Sequence, residues 1–319
     1  MLILVTGGAG FIGSHVVRKL RAEGHKVRVL DSCVHGGDQV ESLDTAEALG
    51  DVRDPSAVSE AAYGVDFIVH LASIAGVGSV GRDPVRTMDV IQTGTRNVLN
   101  AALAEAAGVL NFSSSEVYGT HAACVKETDP TPLPPPTHTR WGYGAAKLAA
   151  EHLCRAYYEH HGVPVCSFRI FNTYGPGQLG DGAVHNFVRA ALAGEAFAIR
   201  GDGAAVRTWC HVSETVRAVQ AVIERMDRTK LRPLGGQVFN IGNPYELAST
   251  MMLADSVSRA CGQKFAIREP MPGVADVRVR IPDISKAAEL LEWEPIVPLA
   301  VGLEDTVDYY RALQGLKDA

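Results

Sequence analysis

The sequence predicts an α/β fold, a doubly wound parallel sheet, on three observations. The apolar run Leu2-Ile3-Leu4-Val5 ends in the glycine-rich turn Thr6-Gly7-Gly8-Ala9-Gly10-Phe11-Ile12-Gly13-Ser14 and opens into a helical stretch from His15 to Leu20. Further apolar runs of strand length alternate with helical stretches, as βαβ units require. With 319 residues, 46% of them hydrophobic, the chain suits one large domain or two interlocked ones.

The turn uses glycine at three points for three reasons: a tight bend after the strand, backbone N–H groups brought close to a pyrophosphate, and a helix laid close on the sheet. Gly7, Gly10 and Gly13 fill those places, with Phe11 and Ile12 opening the helix whose N-terminus faces the phosphates. Glycines also end strands for structural reasons, so the turn needs a second, independent feature beside it. Val27-Arg28-Val29-Leu30 reads as the second strand and Asp31 closes it, about 20 residues after the turn, where a ribose-binding carboxylate favours NAD over NADP. The N-terminal half therefore reads as Rossmann-type.

The formal charge of −6 and the lack of a basic run argue against a nucleic-acid partner. Six scattered cysteines without a C-x-x-C pair signal neither zinc nor a disulfide framework, so no metal is expected and the thiols fit a reduced, cytoplasmic protein. No basic region precedes the first strand and no apolar segment is long enough to cross a bilayer, so neither a signal peptide nor a membrane partner is expected.

In chain order, Ser32 to Gly37 reads as a loop, and Glu47 to Pro55 as the end of a third short strand. There Asp51, with Val52 beside it, can reach an adenine or cap a helix before Pro55. Asp66 to Ser73 is a buried parallel strand whose last residues, Leu71, Ala72 and Ser73, can lie against a cofactor. Pro84 to Ala107 is helical with Gly108 as its stop. Val109 to Phe112 is a strand that runs into Ser113-Ser114-Ser115-Glu116-Val117-Tyr118-Gly119, placing hydroxyls and a carboxylate where open α/β sheets bind ligands. The proline-rich stretch from Thr131 to Pro136 is an extended surface connection, and Trp141 to Glu151 favours helix. Phe187 to Leu192, Val212 to Met226 and Val301 to Ala312 read as helices, and Ala196 to Ile199 and Gln237 to Ile241 as strands.

Tyr143 and Lys147 are four apart and share a helix face. A tyrosine near pKa ~10 is a poor base, but a cation ~4 Å away at an effective dielectric of ~20 is worth about 4 kcal/mol, or roughly three pKa units. Such a tyrosine can take a proton from a sugar hydroxyl while hydride leaves the same carbon. On its own the spacing is more often that of an ordinary exposed helical pair.

In order along the chain, the glycine turn, Asp31, Ser113 to Gly119, Tyr143 with Lys147, Arg169-Ile170-Phe171-Asn172-Thr173-Tyr174-Gly175-Pro176, Gly201-Asp202-Gly203 with Arg207, and Asp283-Ile284-Ser285 leading to Trp293-Glu294-Pro295 resemble the extended short-chain dehydrogenase/reductase family of nucleotide-sugar epimerases and dehydratases. The resemblance runs nearly end to end. It implies an NAD-binding domain over residues 1–170 with return elements near 210–243, an interleaved, smaller mixed α/β substrate-binding lobe for the nucleotide sugar over 171–319, and a homodimer through the helices from Pro84 and Tyr143. It also implies that Asn172, Arg207 and Arg280 contact the nucleotide diphosphate and ribose of a UDP-linked substrate.

Within that family Tyr143 is the base at the sugar C4 hydroxyl, Ser114 bonds the same oxygen, and Lys147 supports them. Ser114-Ser115-Glu116 is most similar to the Thr-Ser-Glu of UDP-glucuronate decarboxylases, as are the Asp181-Gly182 pattern and the Trp-Glu-Pro-x-Val-Pro-Leu tail. Dehydratases carry an aspartate where Ser115 stands, and simple 4-epimerases lack the carboxylate of Glu116. By this resemblance Glu116 deprotonates or orients the substrate and Ser115 positions its carboxylate or a water, with UDP-xylose or its 4-keto precursor as product. Three places depart from the decarboxylase pattern: Gly177 for an arginine, Ile91 for an asparagine, and the segment from Ile74 to Val80. They keep a 4-epimerase open as the alternative.

Overall fold

The computed structural model describes residues 1–33, 49–229, 233–264, 266–268 and 277–317. The chain opens with β1 (Leu2–Thr6), α1 (Phe11–Ala22) and β2 (Lys26–Leu30), then α2 (Pro55–Ala62), β3 (Phe67–His70), α3 (Val77–Arg82), α4 (Pro84–Glu105) and β4 (Gly108–Ser114). A 3-10 turn over Ser115–Tyr118 leads to β5 (Ala122–Val125), α5 (Gly142–His161), β6 (Val165–Ile170) and β7 (Thr173–Tyr174). Next come α6 (Ala183–Leu192), β8 (Val206–Thr208), β9 (Cys210–His211), α7 (Val212–Thr229), β10 (Val238–Ile241), β11 (Leu247–Ser249), α8 (Thr250–Cys261), β12 (Val279–Pro282), α9 (Ser285–Leu291) and α10 (Leu299–Lys317).

Six strands form one parallel sheet in the order β2-β1-β3-β4-β6-β10. Both faces are covered, so these strands are short, nearly continuous apolar runs. One face packs α1, α7 and α9 around Val17, Phe168, Val219 and Trp293; the other packs α2, α4 and α5 around Leu4, Ile68, Leu99 and Val165. The chain leaves β1 for β2 on one side and returns to β3 on the other, so a topological switch point lies at the carboxyl ends of β1 and β3. A second sheet, β11-β8-β12-β5, sits beside a third core of α6, α8 and α10 around Phe187, Phe197 and Leu303. The two lobes interleave widely. β10 and α7 return to the large sheet, α9 packs against it, and β5, from within the first 170 residues, pairs with β12 in the small one.

Several local expectations change. Before Pro55 the cap of α2 is Asp54, which accepts from the Ser56 N–H, and not Asp51. α4 begins as expected, with Asp83 as cap and Pro84 first, but it ends at Ala106 in the left-handed region with φ 53°. Gly108 instead starts β4, where a Cβ would stand 2.7 Å from the Phe67 ring, so the glycine serves close strand packing. The strand expected at Ala196 to Ile199 reduces to a single bridge between Phe197 and Ile267, because Phe197 is committed to the lobe core, stacked on Phe187. Of the third strand, Leu49 bridges Asp31; the part before it, and residues 34–37 of the expected loop, lie outside the described residues. Among the described residues no helix is long and apolar enough to cross a membrane.

Candidate active site

A cleft of about 760 Å³ runs along the switch point between the lobes. On one side it is lined by Gly7, Gly10, Phe11, Ile12, Gly13, Asp31, Asp51, Val52, Leu71, Ala72 and Ser73, and on the other by Ser114, Ser115, Glu116, Tyr143, Lys147, Asn172, Arg207 and Arg280. The fold thus brings all the candidate cofactor, catalytic and substrate residues to one cleft.

The first side is a backbone cradle. Gly7 has φ +74°, and a Cβ there would stand 2.7 Å from the Ala72 nitrogen; a Cβ at Gly13 would stand 2.1 Å from the Gly7 carbonyl oxygen. α1 starts after Gly10 with no side-chain cap, leaving its first N–H groups for an anion. Asp31 is already engaged: Oδ2 accepts from the Ala9 N–H at 3.0 Å and Oδ1 from the Cys33 N–H at 2.8 Å. The carboxylate therefore braces the turn as well as facing the cleft. Asp51 pairs with the Arg53 guanidinium at 2.7 Å, and hydrogen bonds from Arg53 hold its carboxyl below the usual carboxylate range. Glycines that exclude a Cβ, an uncapped helix start and a carboxylate at the end of β2 fit a dinucleotide.

The facing side is built on the ends of β4 and α5. Ser114 caps the 3-10 turn, accepting from the Glu116 N–H at 3.2 Å, and Ser115 is buried. Ser114 and Ser73 both hydrogen-bond the Tyr143 side chain. Tyr143 packs with Ile91, Met88 and Ala146, so Ile91 supplies an apolar support for the ring. The expected coupling of Tyr143 to Lys147 takes a different form. Lys147 Nζ donates to the Phe112 carbonyl at 2.6 Å and lies over the Tyr143 ring, 5.9 Å from its centroid. Burial then dominates the phenol: Tyr143 is pushed up to about 12, and Glu116 pushes the same way. Burial also pushes Lys147 down to about 8.

Glu116 is not a free base. Its Oε2 accepts from Arg140 Nη1 and its Oε1 from Arg280 Nη1, both at 2.6 Å. Burial opposes its ionisation, but Arg280 and Arg140 outweigh burial and hold the carboxyl at about 2. Arg280, expected at the nucleotide diphosphate, is thus bound to Glu116, and it is 5% exposed. Among the described residues its Nε and Nη2 are buried without a hydrogen-bond partner. Arg207 stands beside it in register on β8, its Nη1 directed by the Val206 carbonyl at 2.9 Å. Sequence reasoning missed Arg140. Its signal was a cation three residues before Tyr143 at a helix start, next to Trp141, whose ring its guanidinium covers at 4.5 Å.

Residues 3–242 match the model of the NAD dependent epimerase/dehydratase family. The chain is 35% identical over 311 residues to UDP-glucuronic acid decarboxylase 1 of Xenopus tropicalis, covering 97% of this chain and 72% of that one. It is 31% identical to UDP-N-acetyl-alpha-D-glucosaminuronate decarboxylase of Bacillus cytotoxicus, with 98% of each chain covered. Among solved structures, UDP-glucuronic acid 4-epimerase of Bacillus cereus, in complex with UDP-glucuronic acid and NAD, superposes with a TM-score of 0.87 at 30% identity over 98% of this chain and 100% of that one. The chain belongs to the NAD dependent epimerase/dehydratase family. Its cofactor is accordingly NAD, which the cradle of Gly7, Gly10, Gly13 and Asp31 fits.

Proposed function

We propose that this chain decarboxylates UDP-glucuronic acid through a 4-keto sugar. The observation that carries this is the Arg280 guanidinium: one edge is fixed by Glu116, while Nε and Nη2 are buried and, among the described residues, without a hydrogen-bond partner in the cleft that holds Tyr143. A buried cation with two N–H groups to offer is a seat for a carboxylate. The relatives named UDP-glucuronic acid decarboxylase support the same reading.

When bound, NAD supplies a hydride acceptor, and later donor, for the sugar C4 and brings positive charge into the cleft. That charge would offset the burial that pushes Tyr143 up, so that Tyr143 takes the C4 hydroxyl proton, with Ser114 bonded to the same oxygen. A C4 ketone makes the C6 carboxylate a β-keto acid. The C5–C6 bond breaks, carbon dioxide leaves, and the electron pair runs through C5 onto the C4 oxygen. Tyr143 and Ser114 hold that oxygen as it gains charge, and a proton from water then adds at C5 as the oxygen returns to the ketone. Glu116, already ionised, keeps Arg280 oriented instead of removing a proton, and Ser115 steadies the turn that carries it. Asn172 and Arg207 hold the nucleotide end.

As part of the same proposal the chain forms a homodimer through α4 and α5, where Val85 and Leu103 are exposed apolar residues of α4, and works in the cytoplasm, consistent with its free cysteines. Incubation with NAD and UDP-glucuronic acid tests the reaction: carbon dioxide and a UDP-pentose or UDP-4-keto-pentose are expected. A UDP-hexuronate epimer without carbon dioxide would overturn it in favour of 4-epimerisation.

A further inference from the structure

Three successive residues of β4 are tied to α5 by three residues spaced four apart. Ser114 hydrogen-bonds Tyr143, the Phe112 carbonyl accepts from Lys147 Nζ at 2.6 Å, and Ser113 Oγ donates to Glu151 Oε1 at 2.5 Å. Tyr143, Lys147 and Glu151 therefore share one face of the helix, and the third tie continues the reacting pair one turn inward. Glu151 is 6% exposed and also receives the Arg169 guanidinium, Nε at 3.0 Å and Nη2 at 2.8 Å. Arg169 stands opposite Ser113 in the β4/β6 register, so the carboxylate grips a cross-strand pair. The same guanidinium lies 4.7 Å over the ring of Tyr118, which closes the turn bearing Ser115 and Glu116.

We propose, resting on the reading of Tyr143 and Lys147 as the reacting pair, that Glu151 is a positioning residue: its carboxylate keeps the Lys147 ammonium charged and, with Ser113 and Arg169, holds α5 in register with the reactive end of β4. The groups acting on Lys147 are Tyr143, Glu151 and Cys154 of its own helix and His70 of β3, with Arg169 of β6 behind Glu151. Burial keeps His70 neutral, pushing it down to about 3. Burial lowers Lys147, and Cys154 and Glu151 oppose that. The Cys154 thiol is itself pushed up to about 12 by burial, so it is uncharged near neutrality. Glu151 is then the negative charge that holds the proton on Lys147.

The test monitors the Lys147 ammonium directly in the cofactor-free protein, through carbon-13-labelled lysine with the resonance assigned by Lys147→Arg. Glu151→Gln should lower its titration midpoint by about one pH unit, the low end for loss of a close opposite charge. The alkaline limb of the kcat profile should move down equally, an up to about tenfold loss of rate above pH 8. Because Glu151→Gln leaves Arg169 buried without its charge partner, Glu151→Gln/Arg169→Gln, which removes both charges together, is measured beside it. Arg169→Gln alone should raise the midpoint, so the double variant is read against it: a midpoint unchanged in Glu151→Gln, or no lower in the double variant than in Arg169→Gln, overturns the proposal, since a merely structural pair would lower the melting temperature without moving the lysine. Tyr143→Phe with full activity would instead overturn the reading of the reacting pair, a failure visible apart from the lysine titration.

Discussion

The wall of the cleft that carries residues 7–13 binds through close-packed backbone, with charge only at its edges, whereas the wall facing it is made of buried side-chain charge. On the first, Gly13 approaches Gly7 so closely that no Cβ fits, and the binding groups are N–H donors of the turn and of α1. On the second, Glu116 is clamped by Arg140 and Arg280, and Arg207 stands in register with Arg280. Backbone donors suit a ligand shared across many reactions, because they read a pyrophosphate and nothing more. Buried guanidinium groups read the position of an anion, and they do so only while their own counter-charge is held. The walls should therefore fail in different ways.

Gly13→Val should break the first wall outright. A Cβ 2.1 Å from the Gly7 oxygen forces the turn open, so NAD binding and all turnover should be lost; calorimetric titration with NAD checks this, and retained affinity would refute the cradle. Arg280→Met should spare NAD affinity and lower kcat on UDP-glucuronic acid by about 10²–10³, the usual cost of losing one preorganised charge-stabilising donor. Equal losses of NAD binding and turnover in that variant would erase the distinction between the walls.

Glu116→Gln sharpens the comparison through pH. The carboxyl is held at about 2 in the folded chain against an ordinary value of 4.5. A depressed carboxyl contributes stability that is complete above its ordinary value and is lost as pH falls toward the folded one, here on the order of 3 kcal/mol. The neutral buried His70, held at about 3 against 6.5, loses stability in the same direction over its own window below pH 6.5. The expected result is thus a difference: urea midpoints of wild type should fall more steeply than those of Glu116→Gln between about pH 4.5 and 2.

The same contrast decides what was legible in the sequence. The backbone wall is local, so Gly7, Gly10, Gly13 and Asp31 announce themselves by spacing within one βαβ unit. Tyr143 and Lys147 are legible for the same reason, being one helical turn apart. The charged wall is assembled from the 3-10 turn after β4, the 3-10 turn over Thr139–Trp141 before α5, and β12, so that Glu116 and Arg280 meet across 164 positions of sequence. No periodicity encodes such a meeting, so the pairing of Arg280 with Glu116 was not legible. The lobe assignment of β5 has the same origin, since its pairing with β12 is set by tertiary packing.

The smallest effect is expected where the first wall does carry charge. Asp51 and Arg53 form a pair whose side chains are each 33% exposed, with Asp89 as a second partner for Arg53 at 3.1 Å. Water screens such a pair, so it is worth at most about 1 kcal/mol, less at high salt. Asp51→Asn should therefore lower the urea midpoint slightly in dilute buffer and not at all in strong salt, unlike the Glu116 clamp, whose side chains are far less exposed. If Asp51 also reaches the adenine end of the cofactor, NAD affinity should drop a few-fold with kcat unchanged. An unaltered affinity would leave Asp51 as a brace for Arg53 alone and make the first wall a backbone site throughout.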